Sequence, residues 1–387
     1  MTSCSKILPK FMFGLFRTFL ACVVIIGHLH GPFQIGTYAV FGFYILSGYL
    51  MTTIMHGSYG YHASGRKRYV LNRLLIIYST YWIAALLSLV CLFILGDKVS
   101  QFIYTIYFPS TISVWLKNFF LILTSLSSPR LSPATWALTV ELFYYAMICI
   151  GISQTPRLSI IWLIGSLVYT GYLLFDDPAN WASRYFPIPA ASLPFAIGGC
   201  LYHFRSTFSR MLRATRISNP AIWTILICLN FYIFSTIDKK WGTDLRSSLG
   251  FYVNLVLIIS TISACLSRGF PLVDKELDKF LGKFSYPAYL MHWQAGAIIL
   301  ALFSFDLNRG FMTMESLTFL ALSVLLTIGL SYAAIKTVDD PIEEKRSAIR
   351  AKTIDTSPAS LPPVSPQCKR KKSFSFLFIL IVLQRSI

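Results

Sequence analysis

Charge is what this chain has least of. Only 13% of its 387 residues are charged, and acidic residues are the scarcer half, 16 Asp and Glu against 34 Lys and Arg. Soluble domains carry about a quarter charged residues, so this composition argues against a water-soluble globule before any motif is read. A disulfide framework is also missing. Of the eight cysteines, Cys22, Cys91, Cys149, Cys200, Cys228 and Cys265 fall in or at the ends of apolar runs, where cysteine behaves as a small hydrophobe. No internal repeat and no appended soluble domain can be found. The N-terminal run MTSCSKILPKFMFGLF has no clear small-residue cleavage site and continues to spanning length, so it is expected to be the first helix and not a removed signal peptide.

What the chain has in quantity is apolar sequence, 55% of it. Blocks of about 20 apolar residues, such as YSTYWIAALLSLVCLFIL, recur from end to end, each long enough to cross a bilayer as a helix. The expected fold is an all-α integral membrane protein with about ten transmembrane helices, near 11–30, 36–55, 74–95, 134–152, 157–175, 188–204, 220–237, 249–267, 284–304 and 315–335. Net charge of +18 does not imply nucleic acid, because the cations sit in loops between apolar blocks. Read as topology signals, Arg66, Lys67, Arg68 and Arg73, then Arg205, Arg210, Arg213 and Arg216, then the C-terminal cations all fall on one side, which puts both termini in the cytoplasm. The segment 111–127, TISVWLKNFFLILTSLS, would invert that order if it crossed, so it is expected to be an interfacial or re-entrant piece on the outer face. The membrane domain is placed at 1–345. A basic tail at 346–387 contains the Pro/Ser-rich TSPASLPPVSPQ, expected as a linker, and SFSFLFILIVL, expected to lie on the membrane beside KRKK.

Against this background the polar residues inside the spans stand out. In RTFLACVVIIGH, eleven helical steps bring Arg17 and His28 within about 20° of one face and about 16 Å apart along the axis. An ionisable side chain in a span faces a wet cavity or the bundle interior, or it snorkels to an interface, and spacing alone leaves both open. His30 is a second candidate imidazole. Ser47 and Gly48, in AVFGFYILSGYLM, either permit close helix packing or open a path for substrate. Glu141 lies about two turns into PATWALTVELFYY beside Trp136, Tyr144 and Tyr145, and its expected partner is Arg17 or His28. In LGKFSYPAYLMHW, Tyr289 and His292 share a helix face. Pro341, in KTVDDPIEEKR, is expected to stop the last span.

In order and spacing, Arg17-x10-His28, LSGYL, the basic approach to the third helix, WALTVELFYY and LGKFSYPAYLMH resemble the membrane acyltransferase family 3, over residues 13–345. Each motif alone is weak; their shared order is specific. The resemblance implies an O-acyltransferase of the cytoplasmic (inner) membrane, multi-pass, that modifies a surface carbohydrate such as O-antigen or exopolysaccharide, as its members do for polysaccharides and nodulation factors. It implies acetyl-CoA or another acyl-CoA as donor substrate, with no bound cofactor and no metal. By that likeness His28 is the essential histidine and Arg17 its companion. We expect His28 to act as the base on the sugar hydroxyl and Glu141 to orient it. Arg73 is expected at the coenzyme A phosphates, and Arg17, Ser47, Gly48, Trp136, Tyr289 and His292 along the substrate path. The family carries two arginines three apart at the third helix; here Arg73 holds the first place, Ile76 the second, and Ser79 stands where proline is common. Expected partners are the bilayer, the donor, the carbohydrate and a possible separate extracytoplasmic acyl-transfer protein. Two rival readings remain at this point: a secondary transporter using buried His, Glu and Arg, and a non-catalytic member of the family.

Overall fold

The computed structural model describes residues 13–30, 34–96, 98–99, 106–122, 129–215, 217–271, 273–305 and 313–355, and twelve α-helices can be bounded among these described residues. They are α1 (Gly14–Leu29), α2 (Gln34–Ile54), α3 (Ala63–Leu95), α4 (Ile112–Phe119), α5 (Trp136–Ile150), α6 (Pro156–Asp176), α7 (Ser192–Ala214), α8 (Pro220–Trp241), α9 (Phe251–Ser267), α10 (Lys275–Phe303), α11 (Met314–Ala334) and α12 (Asp340–Asp355). No strand occurs among the described residues. Seven helical segments are long and apolar enough to cross a membrane, and α1, α7 and α10 coincide with the other expected spans. This is a multi-pass membrane protein. The expected linker and apolar end of the tail, and the middle of the first outer loop, lie outside the described residues.

Helix starts follow local chemistry. Thr155 and Asn219 accept from backbone N–H groups of the first turn, and Pro156 and Pro220 follow them at the first helical position, where a missing N–H costs nothing. Asp274 and Thr313 cap α10 and α11 in the same way. Large apolar side chains such as Phe93 and Phe175 point outward, which suits a hydrocarbon surround. In the centre lies α2, 72% of its apolar window buried, against 17% for the peripheral α6.

The centre is tight because glycines let backbones meet. A Cβ on Gly48 would stand 2.4 Å from the Phe195 carbonyl oxygen, and one on Gly198 would stand 2.2 Å from that of Ile45. Gly48 is therefore a packing residue between α2 and α7, and not part of a substrate path.

Of the segment 111–127, expected to be interfacial or re-entrant, residues 123–127 lie outside the described residues, and its one described helix is too short to cross a bilayer. Helix α4 has eight residues, about 12 Å, and ends at Leu121 with φ 53°. Asn118, 1% exposed, ties the returning chain: its Nδ2 donates to Val114 and Pro129 carbonyls, and its Oδ1 accepts from Leu131 N–H. Tyr81 donates to the Asn118 carbonyl (2.6 Å) and Thr139 to that of Leu121 (2.6 Å), so the tip finds its partners on α3 and α5. Backbone without helical bonds is tolerated at membrane depth only when protein satisfies it in this way.

Pro341 does not stop the last span. A wide π-helical turn, Ile335–Asp339, carries α11 into α12, and Pro341 sits in the first turn of α12, where its lost donor does no harm. Helix α12 runs through the expected domain boundary at 345/346 and packs on α3, so the segment just after 345 belongs to the bundle.

Gly14 makes the closest approach of all: a Cβ there would stand 1.6 Å from the Asp278 carbonyl oxygen. Gly14→Ala should force α1 from α10 and cost at least about 1–3 kcal/mol. Its unfolding midpoint in detergent should fall, while Gly165→Ala, with nothing within 4 Å, should leave it unchanged. Equal midpoints for the two variants would contradict this packing.

Candidate active site

The site is built on two parallel helices. At the basic end of the bundle, Asp278 of α10 accepts from the backbone N–H of Gly14 (2.9 Å) and of Leu15 (2.9 Å), capping α1 from another helix. One turn on, Thr18 donates to the Leu281 carbonyl (2.8 Å). At the far end His28 Nδ1 meets His292 Nε2 at 2.9 Å. Both end contacts span 264 positions of sequence, so the helices keep one register from cap to imidazole.

Between these helices and α2, α3, α5 and α12 lies a cavity of about 470 Å³. Its floor is polar. Glu141 accepts from Ser47 (3.2 Å) and from Tyr145 (3.2 Å), and Arg17 faces this carboxylate across the space. Its mouth is cationic, with exposed Lys279 beside Lys283, Arg73 and Arg346. Ile76 and Ser79 line the same wall. At the other extreme Tyr289, held by a bond from its hydroxyl to the Ala134 carbonyl (3.0 Å), closes the cavity with Phe43, ring centroids 6.1 Å apart.

His292 lies one helical turn beyond Tyr289 and is fully buried. Its Nδ1 is 2.8 Å from the Tyr289 carbonyl, which can only accept. Nδ1 must therefore carry the proton, which leaves Nε2 of a neutral ring as an acceptor. His28 then donates from Nδ1, and its own Nε2 becomes the basic nitrogen. Trp293 stacks on His28 with centroids 4.8 Å apart and fixes the plane of the ring.

Of the residues singled out from sequence, Arg17, Ser47, Arg73, Glu141 and Tyr289 line the cavity, while His28 and His292 form the pair beyond it. His30 instead meets Ser316 at 2.8 Å. Two expectations need correction besides Gly48. Glu141 does not orient His28: its bonds run to Ser47 and Tyr145 within the cavity, and the imidazole of His292 takes the place expected for it. Trp136 does not line the cavity; it packs against Tyr185 and Phe186. Sequence reasoning passed over Asp278, Lys279, Lys283 and Arg346. Lys279 and Lys283, four apart in LDKFLGK, share a helical face, a spacing that could have marked them.

A family model described as an acyltransferase domain matches residues 13–336. Comparison with curated proteins and with solved structures gives no match.

An open cavity with a polar floor makes a labelling prediction. In a chain cleared of native cysteines, Ile76→Cys should react with a water-soluble thiol reagent added to open membranes. Leu86→Cys, on the outer surface of α3, should not, because thiolate does not form in hydrocarbon. Protection of both positions would show that water does not reach the Ile76 wall.

Proposed function

The chain belongs to acyltransferase family 3, and on that premise we propose that it moves an acyl group, acetyl first among candidates, from acyl-CoA in the cavity to a hydroxyl of a cell-surface carbohydrate. One observation carries this reading: the cavity with its cationic mouth and the His28–His292 pair share the same two helices, one directly beyond the other. In this reading the basic end faces the cytoplasm, as the positive-inside rule favours, the membrane is the cytoplasmic one, and the donor enters from inside. The carbohydrate, of the O-antigen or exopolysaccharide kind, meets His28 from the far side.

In this mechanism the guanidinium and ammonium groups of the mouth hold the donor phosphates. The thioester arm runs past Glu141, Ser47 and Tyr145 and reaches His28 by way of Tyr289. Nε2 of His28 takes the proton of the sugar hydroxyl as its oxygen attacks the thioester carbonyl. The C–O bond forms, the C–S bond breaks, and the departing thiolate recovers the proton from His28. His292 accepts from Nδ1 throughout, which keeps the basic lone pair on Nε2 and steadies the imidazolium while it lasts. Arg17 and Glu141 balance one another beside the arm. Beyond Tyr289, protein packed around the His28–His292 pair excludes water, which would otherwise take the acyl group.

The test uses membranes carrying the protein, acetyl-labelled acetyl-CoA and the host's surface glycan, with alkali-labile label on the glycan as readout. The intact chain should transfer label, His28→Ala should lose about 100-fold or more, and His292→Phe should lose at least about tenfold through the wrong His28 tautomer. Transfer undiminished in His28→Ala would discard the base assigned here. Movement of a glycan without label would replace transfer by transport.

A further inference from the structure

The cavity's mouth is completed by residues that lie beyond the matched acyltransferase domain. That domain ends at 336, yet Asp339, Ile342, Glu343 and Arg346 line the space. The π-helical turn at Ile335–Asp339 turns this stretch back over α3: Thr80 donates to Asp339 (2.8 Å), and Asn72 Nδ2 lies 3.4 Å from the Arg346 carbonyl.

Asn72 is the hinge of the arrangement. It is fully buried, and its one side-chain oxygen accepts from two guanidinium groups, Arg73 Nη2 at 3.2 Å and Arg346 Nε at 3.3 Å. Two arginines from separate helices are thus gathered on a neutral atom, although like charges repel in so confined a place. Carboxylates stand close by as well: Glu343 pairs with Arg346, Asp340 is shared by Lys283 and Lys336, and Asp278 is engaged by the N-terminus of α1. Arg73 keeps a buried Nε without a hydrogen-bond partner. Lys279 and Lys283 add ammonium groups to the same opening. Two guanidinium groups held side by side in the lining of an open cavity suit an anion with several oxygens on adjacent centres.

We infer that Arg73 and Arg346, set side by side on Asn72, form a clamp for the diphosphate of the nucleotide-linked acyl donor. The inference rests on the donor reading above and assigns to α12 a part of the donor site. The clamp grips the diphosphate in preference to the 3′-phosphate, because the two guanidinium groups meet on one amide oxygen and a diphosphate offers two linked acceptor groups to such a pair.

Purified full-length protein in nanodiscs, titrated with coenzyme A, 3′-dephospho-coenzyme A and pantetheine, tests it by calorimetry. Arg346→Gln should weaken coenzyme A and the dephospho form alike, each by about tenfold or more, and leave pantetheine unchanged. Arg346→Lys, which keeps the charge and loses the fork, should fall between. Arg73→Gln combined with Arg346→Gln should lose less than the product of the single effects, as expected of two groups holding one ligand group. Size-exclusion profiles and unfolding midpoints establish that each variant is folded. Equal coenzyme A affinity in Arg346→Gln and the intact chain would overturn the clamp and leave the donor reading standing, as would a loss confined to coenzyme A with its 3′-phosphate. A folded intact chain that binds none of the three would overturn the donor reading and the clamp with it.

Discussion

The parallel contact between α1 and α10 is the constraint on which the site depends. Helices joined by short loops run antiparallel, and these two are parallel only because most of the chain lies between them. The contact is pinned at one end by a carboxylate on two backbone donors and at the other by one imidazole on another. Between the pins the backbones come close enough that Gly14 admits no side chain. Loss of either pin would free a helix to slide, and the cavity wall would move with it.

That frame separates two tasks along one axis. Cationic side chains lie at one end, beside exposed Lys279; the imidazole pair lies at the other, among aromatic rings. Tyr289 stands between them, with its hydroxyl on Ala134 and its carbonyl on His292. One residue thus closes the cavity and fixes the tautomer of the pair, so a shift of this part of α10 would be felt by both.

Much of this was legible because polar residues are conspicuous in apolar helices. Arg17, His28 and Glu141 are costly where they stand, and that cost singles them out in the sequence. Their partners were less accessible. Spacing along one helix says nothing of distances between helices, so Glu141 was given to His28 when Ser47 and Tyr145 were the groups within reach. Gly48 alone reads more readily as packing than as path, and the Phe195 carbonyl against it shows the packing. Charge bias led to the expectation that the segment after α3 does not cross, but its anchoring by Asn118 was not deducible, since one buried amide carries no periodicity. Helix α12 was hardest: polar, charged and following a proline, it has the composition of a tail, and only a wide turn sends it back to the bundle.

The fixed register of α1 and α10 has a consequence for how such a chain can change over generations. A single residue inserted in α1 between the cap and His28 would turn everything beyond it by about 100° and lift it by about 1.5 Å. Asp278 and His292 could not then both be met. Deletions meet the same obstacle, and a matched change in α10 would need a second event 264 positions away. Point substitutions can drift through this pair of helices, but their length is held in common, as in two scales read against each other.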